Sequence, residues 1–301
     1  MTELLPATNL ALSAGHSPTP GQECSAPLRV MSFNVRFGTA PDGPNRWELR
    51  HDLLARTVRS FDPDLLGVQE AMDFQCADLR KALGDGYAFH GAGREDGRER
   101  GEFTPVFAKR DRFERLAAGH FWLSETPDVA GSRGWDAELP RMASWVKLRD
   151  VLCGPNGGPP GPLLFLNTHW DHFGKHARNE SAKLIRRRVL ELNPGGPAII
   201  VGDFNSREDD EDYATLLRCA DDGGPRNLDA YREIHPDRQT DEATFHGFKG
   251  GKEGSRIDWI VHTPDLRATE AHIDRTSEDG RYPSDHYPVT AVLVRVKVHV
   301  G

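Results

Sequence analysis

This chain is poor in cysteine, has no long apolar run and carries no basic excess, and each shortage removes a class of protein. Its four cysteines, Cys24, Cys76, Cys153 and Cys219, are widely spaced, with no Cys-x-x-Cys pair. That leaves out the close-spaced zinc and redox motifs and predicts reduced thiols, two disulfides in a secreted protein being the alternative. No uninterrupted apolar segment is long enough to span a bilayer. Met1 to Pro27 lacks the apolar block of a signal peptide and places Glu3 where such a peptide carries lysine or arginine. Rich in Pro, Ser, Thr, Ala and Gly, it reads as a disordered tail, and a cytoplasmic location is expected. Acids outnumber bases, 46 to 38, for a net charge of −8. Proteins that grip long DNA or RNA show a basic footprint, so the balance argues against that class, although a local basic groove can exist on an acidic surface.

At 301 residues the chain is long enough to bury a core without disulfides or a structural metal. It shows no internal repeat and no linker, which predicts a single domain over residues 28–301. Leu28 to Phe37 reads as the first strand. Asn45 is a candidate cap for a helix through Trp47, His51, Leu54, Val58 and Phe61, stopped by Asp62-Pro63. A buried strand Leu65 to Gln69 and a helix Asp73 to Leu83, closed by Gly84, come next. Tyr87 to Gly91 and Thr104 to Ala108 read as strands around a charged loop, Gly93 to Gly101, taken as a solvated hairpin tip. Further strands are expected at Phe121 to Ser124, Ala143 to Leu148, Leu163 to His169, Arg256 to His262 and Val289 to Val300, with helices at Ala177 to Leu192 and Asp209 to Cys219. In the last strand Val292, Val294, Val296, Val298 and Val300 alternate with Arg295, Lys297 and His299. Many strands with irregularly inserted helices predict two packed sheets with helices outside, not an alternating parallel sheet.

The chain is organised around Ala198 to Val201, an apolar run between Pro197 and Gly202 that delivers Asp203 and Asn205 two residues apart, hence on one face of an extended backbone. The pattern recurs: Leu163 to Leu166 runs into Asn167-Thr168-His169, Leu65 to Gln69 into Glu70, and Arg29 to Phe33 into Asn34. An unpaired carboxylate directly after a buried run is costly, so Glu70 is expected to meet a cation. Asn34, Glu70, His169, Asp171, Asp203, Asn205, Asp258, Asp285 and His286 form an oxygen-rich, cysteine-free set. Each alone is a common turn former. Together they suit a hard divalent cation such as Mg²⁺ or Mn²⁺, with histidines left for acid–base or electrostatic work on a phosphoester. His169-x-Asp171-His172 also admits a zinc hydrolase reading, which the lack of further zinc ligands disfavours.

Six motifs, Phe33-Asn34-Val35-Arg36, Gln69-Glu70, Asn167-Thr168-His169, Gly202-Asp203-Phe204-Asn205, Arg256-Ile257-Asp258 and Ser284-Asp285-His286, stand in the order and rough spacing of the endonuclease/exonuclease/phosphatase superfamily, and the resemblance spans about residues 28–300. It implies an α+β fold, the DNase I-like four-layer α/β/β/α sandwich of two mainly antiparallel sheets, with the site at one edge of both. By the same resemblance Glu70 is the principal metal carboxylate, with Asn34 and Asp285 as further ligands. Asp203 orients or deprotonates the attacking water with help from Asn205. His286 contacts the scissile phosphate, oriented by Asp258, and His169 is a second phosphate-side histidine. Arg36 is similar to the DNase I branch, whereas abasic-site endonucleases usually carry an acid there.

Flanking segments resemble a bacterial branch of the superfamily: Arg141-Met142-Ala143-Ser144-Trp145, Thr168-His169-Trp170-Asp171-His172, Ala177-Arg178, Thr244-Phe245-His246-Gly247-Phe248 and Tyr282-Pro283-Ser284-Asp285-His286. On this basis Arg141, Arg178 and His246 are expected on the substrate side, where guanidinium forks suit phosphate. Asp171 and His172 either orient His169 or face the substrate mouth, and Arg36 joins them as a substrate contact. The expected activity is Mg²⁺- or Mn²⁺-dependent hydrolysis of a small phosphorylated metabolite, nucleotide or lipid headgroup. A DNA or RNA nuclease is the alternative, and an inactive binding module on the same fold a further one.

Overall fold

Two six-stranded sheets face one another in the computed structural model, which describes residues 26–154, 156, 158, 161–217 and 224–296. The strands are Leu28–Asn34 (β1), Leu65–Gln69 (β2), Tyr87–His90 (β3), Val106–Lys109 (β4), Phe113–Trp122 (β5), Met142–Asp150 (β6), Leu163–His169 (β7), Ala198–Asp203 (β8), Leu228–Asp229 (β9), Asp258–His262 (β10), Leu266–Ile273 (β11) and Val289–Arg295 (β12). The helices are His51–Phe61 (α1), Asp73–Leu83 (α2), Lys175–Leu192 (α3), Glu211–Leu217 (α4) and Ala230–Ile234 (α5). One sheet has the order β11-β12-β1-β2-β4-β3 and the other β5-β6-β7-β8-β10-β9. Pairing is antiparallel except for one parallel pair in each sheet, β1 with β2 and β7 with β8.

Those four strands are buried along their length, which is why they read as nearly unbroken apolar runs. Period-two geometry divides their side chains between two cores. Met31, Phe33, Leu66 and Val68 face outward and pack under α1 and α2 on Leu54, Val58 and Leu79. Leu164, Leu166 and Ile200 face the opposite exterior, against Ala182 and Ile185 of α3 and Leu216 of α4. Leu28, Val30, Leu65, Leu163, Phe165, Ile199 and Val201 meet between the sheets. Each such burial is worth about 1.5–3 kcal/mol, and a one-residue slip would exchange the two faces, so the register is strongly fixed.

The inward rows change character along each strand. Leu28 and Val30 give way to Ser32 and Asn34; Leu163 and Phe165 to Asn167 and His169; Ile199 and Val201 to Asp203. Midway, Gln69 Nε2 donates to Asn167 Oδ1 at 2.6 Å, and Asn167 Nδ2 donates to the carbonyls of Val68 and Pro105 at 2.7 and 2.8 Å. This buried polar layer ties the sheets together just before the ionisable ends. The sheets also approach closely there: a Cβ on Gly67 would lie 2.4 Å from Val201 Cγ2.

Several expectations are corrected. Asn45 does not cap α1. Extended Arg46, with ψ 155°, separates two 3₁₀ turns, Gly43–Asn45 and Trp47–Leu49, and the α-helix begins at His51. It ends on Asp62 in the left-handed region ahead of Pro63, as expected. The strand expected from Phe121 is the end of the longer β5, while β11, with polar residues on its exposed face, was not foreseen. In β12 the inward row is Val289, Ala291 and Leu293, continued by buried Arg295, so the valine row faces away from the central core. Val298 and Val300 lie outside the described residues, as do most of the expected tail, Cys24 and Cys219. Cys76 is a buried free thiol, but Cys153 is disulfide-bonded, against the expectation of reduced cysteines. Within the expected solvated loop, Arg94 is buried and grips Glu102 through two hydrogen bonds of 2.7 and 2.9 Å.

Candidate active site

The two parallel pairs end at the same rim, and their registers set the site. Asp203 lies opposite His169 on β7 and opposite Asp258 on β10, while Asn34 lies opposite Gln69, one residue before Glu70. Beyond the strand ends the chain turns sharply. Arg36, Glu70 and Asn205 have φ of 56°, 64° and 47°, a region that non-glycine residues rarely occupy and that is strained, as residues at functional sites often are. Asn205 is thus not the next outward step of an extended strand, as the two-residue spacing predicts. Its left-handed turn lets its N–H reach Asp203 Oδ1 at 3.0 Å and its Nδ2 reach His169 Nε2 at 3.0 Å and the Trp170 carbonyl at 3.1 Å.

Asn34 joins the two carboxylates. Its Nδ2 donates to Glu70 Oε1 at 2.9 Å and to Asp203 Oδ2 at 2.8 Å, while its Oδ1 accepts from the Arg36 N–H at 2.9 Å. Glu70 Oε2 accepts the Phe37 N–H at 3.1 Å. Across the site, His286 Nδ1 bonds Asp258 Oδ2 at 2.9 Å, and its Nε2 stands 3.7 Å from Asp203 Oδ2. His169 Nε2 is 3.5 Å from the same oxygen.

Burial divides the charges. Burial, reinforced by Asp258 and partly offset by His286, pushes the Asp203 carboxyl up to about 7. Burial draws the His286 imidazole down, but the charges of Asp258 and Asp203 and the Asp258 hydrogen bond outweigh it and hold the ring well above its ordinary value. His169 is the opposite case: burial and the nearby positive charges of Arg141 and Arg94 keep it well below. Asp285 is raised by burial and then by Glu70, against the pull of His286 and Arg36. The site therefore pairs a charged imidazole with a neutral one around a carboxylate poised near neutrality, the separation that acid–base chemistry needs.

These groups line a cleft of about 410 Å³ together with Arg36, Arg141 and His172. Arg141 is buried, its Nη2 on His172 Nδ1 at 3.0 Å, and its Nη1 has no partner among the described residues. A buried guanidinium nitrogen without an acceptor is costly, and an anion in the cleft would satisfy it. Arg36 pairs with Asp42 at 3.1 Å and stands 3.7 Å from Asp285. Three expected substrate contacts are not in the cleft wall. Arg178 is a buried structural partner of Asp212 at 2.9 Å and of the Asp171 carbonyl. Asp171 accepts the N–H groups of Phe173, Gly174 and Glu138, fixing the loop that carries His172. His246 stacks on Tyr287, ring centroids 4.0 Å apart, and accepts the Gly250 N–H. Arg178 and Asp171 spend their polar atoms on the protein, whereas His246 keeps a buried Nε2 with no hydrogen-bond partner among the described residues.

The donor set fits a hard divalent ion. Glu70, Asp203 and Asp285 crowd carboxylate oxygens into a buried space where Glu70 raises Asp285, a repulsion a cation would relieve. Glu70, His169 and Asp203 each offer a ligand atom within 4.8 Å of the others. A second such trio, Asp203, Asp258 and His286, is tied up by the Asp258–His286 hydrogen bond. Asn34, with its amide directed at both carboxylates and its oxygen on Arg36, holds these ligands in place. Sequence reasoning missed Glu102, Phe37, Leu139 and Phe245 in the cleft. The one visible signal for Glu102 was an acid directly before the buried Phe103.

A two-sheet sandwich with carboxylates, a charged histidine and arginine gathered at the strand ends is the arrangement of a phosphoester hydrolase. The profile of the Endonuclease/Exonuclease/phosphatase family matches residues 31–286, and the chain belongs to that family, whose members act on phosphoester bonds with divalent metals. Among solved structures, an endonuclease/exonuclease/phosphatase family protein from Bacteroides thetaiotaomicron is 33% identical with a TM-score of 0.79, covering 91% of this chain and 99% of that one. A mannosyl-6-phosphatase of the same organism is 34% identical with a TM-score of 0.77, covering 89% of this chain and 99% of that one. Nocturnin of Drosophila melanogaster is 23% identical over 319 aligned positions, which take in 88% of this chain. The chain spans less than half the length of the curated relatives it matches, 47% and 33%.

Proposed function

We propose that this protein hydrolyses the phosphate ester of a small metabolite, a sugar phosphate being the favoured class, with Mg²⁺ or Mn²⁺ bound at Glu70 and supported by Asp285 and Asn34. The carrying observation is the position of Asp203: buried, between His169 and His286, and raised toward neutrality in the wall of the cleft. A carboxylate there takes a proton from water at physiological pH. Asn34 and Asn205 hold its two oxygens so that one face stays directed at the cleft. Charged His286, steadied by Asp258, and the free Nη1 of Arg141 supply positive charge to the phosphoryl oxygens as charge builds on them. Neutral His169 accepts from Asn205 at Nε2, which leaves its Nδ1–H, unpartnered among the described residues, as a donor. The metal, when bound, polarises the phosphoryl group and eases departure of the leaving oxygen.

The cleft volume and the net charge of −8 support a compact substrate over duplex DNA, and so does the 34% identity to the mannosyl-6-phosphatase. The test is a hydrolysis panel of p-nitrophenyl phosphate, bis-p-nitrophenyl phosphate, hexose phosphates, nucleotides and plasmid, run with Mg²⁺, Mn²⁺ or EDTA. Phosphate release from small esters is expected with metal and none with EDTA. Glu70→Ala and Asp203→Ala should each lower kcat by about a thousandfold or more. Full hydrolysis by either variant overturns the assignment.

A further inference from the structure

Beside its charged groups the cleft is lined by Phe37, Leu139, Ile257 and Phe245, and of these Phe245 stands half exposed. It is the one large exposed apolar side chain among the described residues that lines this cleft. Its neighbours explain why it does not fold away. On one side the Thr244 carbonyl accepts the Tyr287 N–H at 2.7 Å, and the Thr244 hydroxyl accepts the N–H groups of Ile257 and Asp258 at 3.0 and 3.2 Å. On the other the His246 N–H donates to the Asp285 carbonyl at 2.8 Å, and the His246 ring is stacked on Tyr287. Both flanking residues are buried and anchored by these contacts, and Phe245 between them is left half exposed. Its ring centroid lies 5.0 Å from that of His286, which lines the same cleft.

A rigidly mounted, partly wet aromatic face beside a charged histidine is costly to leave exposed and well suited to cover an apolar ligand face. We infer that Phe245 is the platform for the ester's leaving group and selects phosphates carried on a ring, a pyranose of the hexose phosphate class, over phosphates carried on an open chain. This rests on the phosphoesterase reading. The two demands fall on different atoms: Arg141 and His286 meet the phosphoryl oxygens common to every ester, whereas Phe245 meets what differs between them. Removing the ring therefore changes discrimination and leaves the chemistry in place.

The experiment compares wild type, Phe245→Ala, Phe245→Leu and Phe245→Tyr on glucose 6-phosphate, mannose 6-phosphate, glycerol 3-phosphate and adenosine monophosphate. Binding to an Asp203→Asn background is measured by calorimetry alongside the kinetics. For the Ala and Leu variants KM and Kd for the hexose phosphates should rise about fivefold or more, the worth of an aromatic contact. Values for glycerol 3-phosphate should stay within about twofold, and Tyr should retain wild-type values. Equal changes on hexose and glycerol phosphates, or none on either, overturn the inference while leaving the phosphoesterase reading intact. A loss confined to adenosine monophosphate also overturns it, in favour of a nucleobase platform. Wild-type protein that neither binds nor hydrolyses any of the four esters removes both.

Discussion

Asp203 carries the sharpest consequence at the scale of single residues. Its carboxyl moves from an ordinary 3.8 to about 7 in the fold, so between those values the folded chain holds a proton that the unfolded chain has released. Stability must then fall as pH rises through this window. At about 1.4 kcal/mol per pH unit the ceiling is on the order of 4 kcal/mol. His286 acts in the same direction from higher pH: its raised imidazole stabilises the fold below its unfolded value and loses that contribution as pH climbs through the folded one. In EDTA, the wild-type Tm should therefore drop between pH 4 and 7 relative to Asp203→Asn, which carries no such proton. Parallel Tm curves would show that Asp203 is not desolvated as described. Arg141 and Arg178 separate in a different measurement. Arg141→Ala removes a cleft donor and should raise KM for a phosphate ester about tenfold or more; it also takes the guanidinium away from buried Asp171, 3.5 Å distant, so a loss of stability accompanies the KM change. Arg178→Ala leaves Asp212 buried and unpaired, which should cost about 3–5 kcal/mol in denaturant unfolding while KM holds. Sequence pattern named both arginines; each has a buried carboxylate beside it, and what tells them apart, invisible in one dimension, is the partnerless Nη1 and cleft position of Arg141.

Among the elements, β8 shows how much the fold asks of one position. A Cβ on Gly202 would lie 2.3 Å from the Thr168 carbonyl oxygen, and because that atom is backbone of the paired strand it cannot swing aside. Gly202→Ala must part β7 from β8 at the residue pair next to His169 and Asp203. We expect about 1–3 kcal/mol of destabilisation and a kcat loss of tenfold or more with a smaller change in KM, since Asp203 and His169 are displaced while Arg141 and His286 lie on neither strand. Normal kcat with normal stability would show that the strand absorbs the methyl group. Strands and helices of this central part were largely legible: Leu65–Gln69, Asp73–Leu83 and Leu163–His169 have the ends that their apolar runs and flanking Gly, Pro and polar residues announce. Legibility failed where tertiary contacts decide. The outward valines of β12 mimic a core stripe, Arg46 breaks a helix from an ordinary sequence, and Glu102 enters the site through a loop that reads as solvent-exposed. The pairings of the candidate site were legible as types and not as geometry, since His169, Asp203 and Asp258 become neighbours only by strand register.

For the whole molecule, charge sets what it can hold. The chain carries a net −8, and the cationic groups facing the cleft are Arg36, Arg141, His286 and the metal its carboxylates would bind. Arg36 is already matched by Asp42. Such a site concentrates positive potential on one phosphate and offers little to a long polyanion, whose neighbouring phosphates would meet a surface of the same sign. Binding of duplex DNA through six to ten phosphates carries a log–log salt slope of about −5 to −9, whereas one compact ester displaces few counterions and should give a slope on the order of −1. Raising KCl from 50 to 500 mM should therefore lower kcat/KM for a hexose phosphate by about tenfold at most. Any plasmid cleavage should be weak at low salt and vanish well before that range is crossed. Plasmid cleavage with kcat/KM above that of every small ester, falling steeply with salt, would show a basic track on this acidic chain and make the nuclease reading the better account of the same catalytic residues.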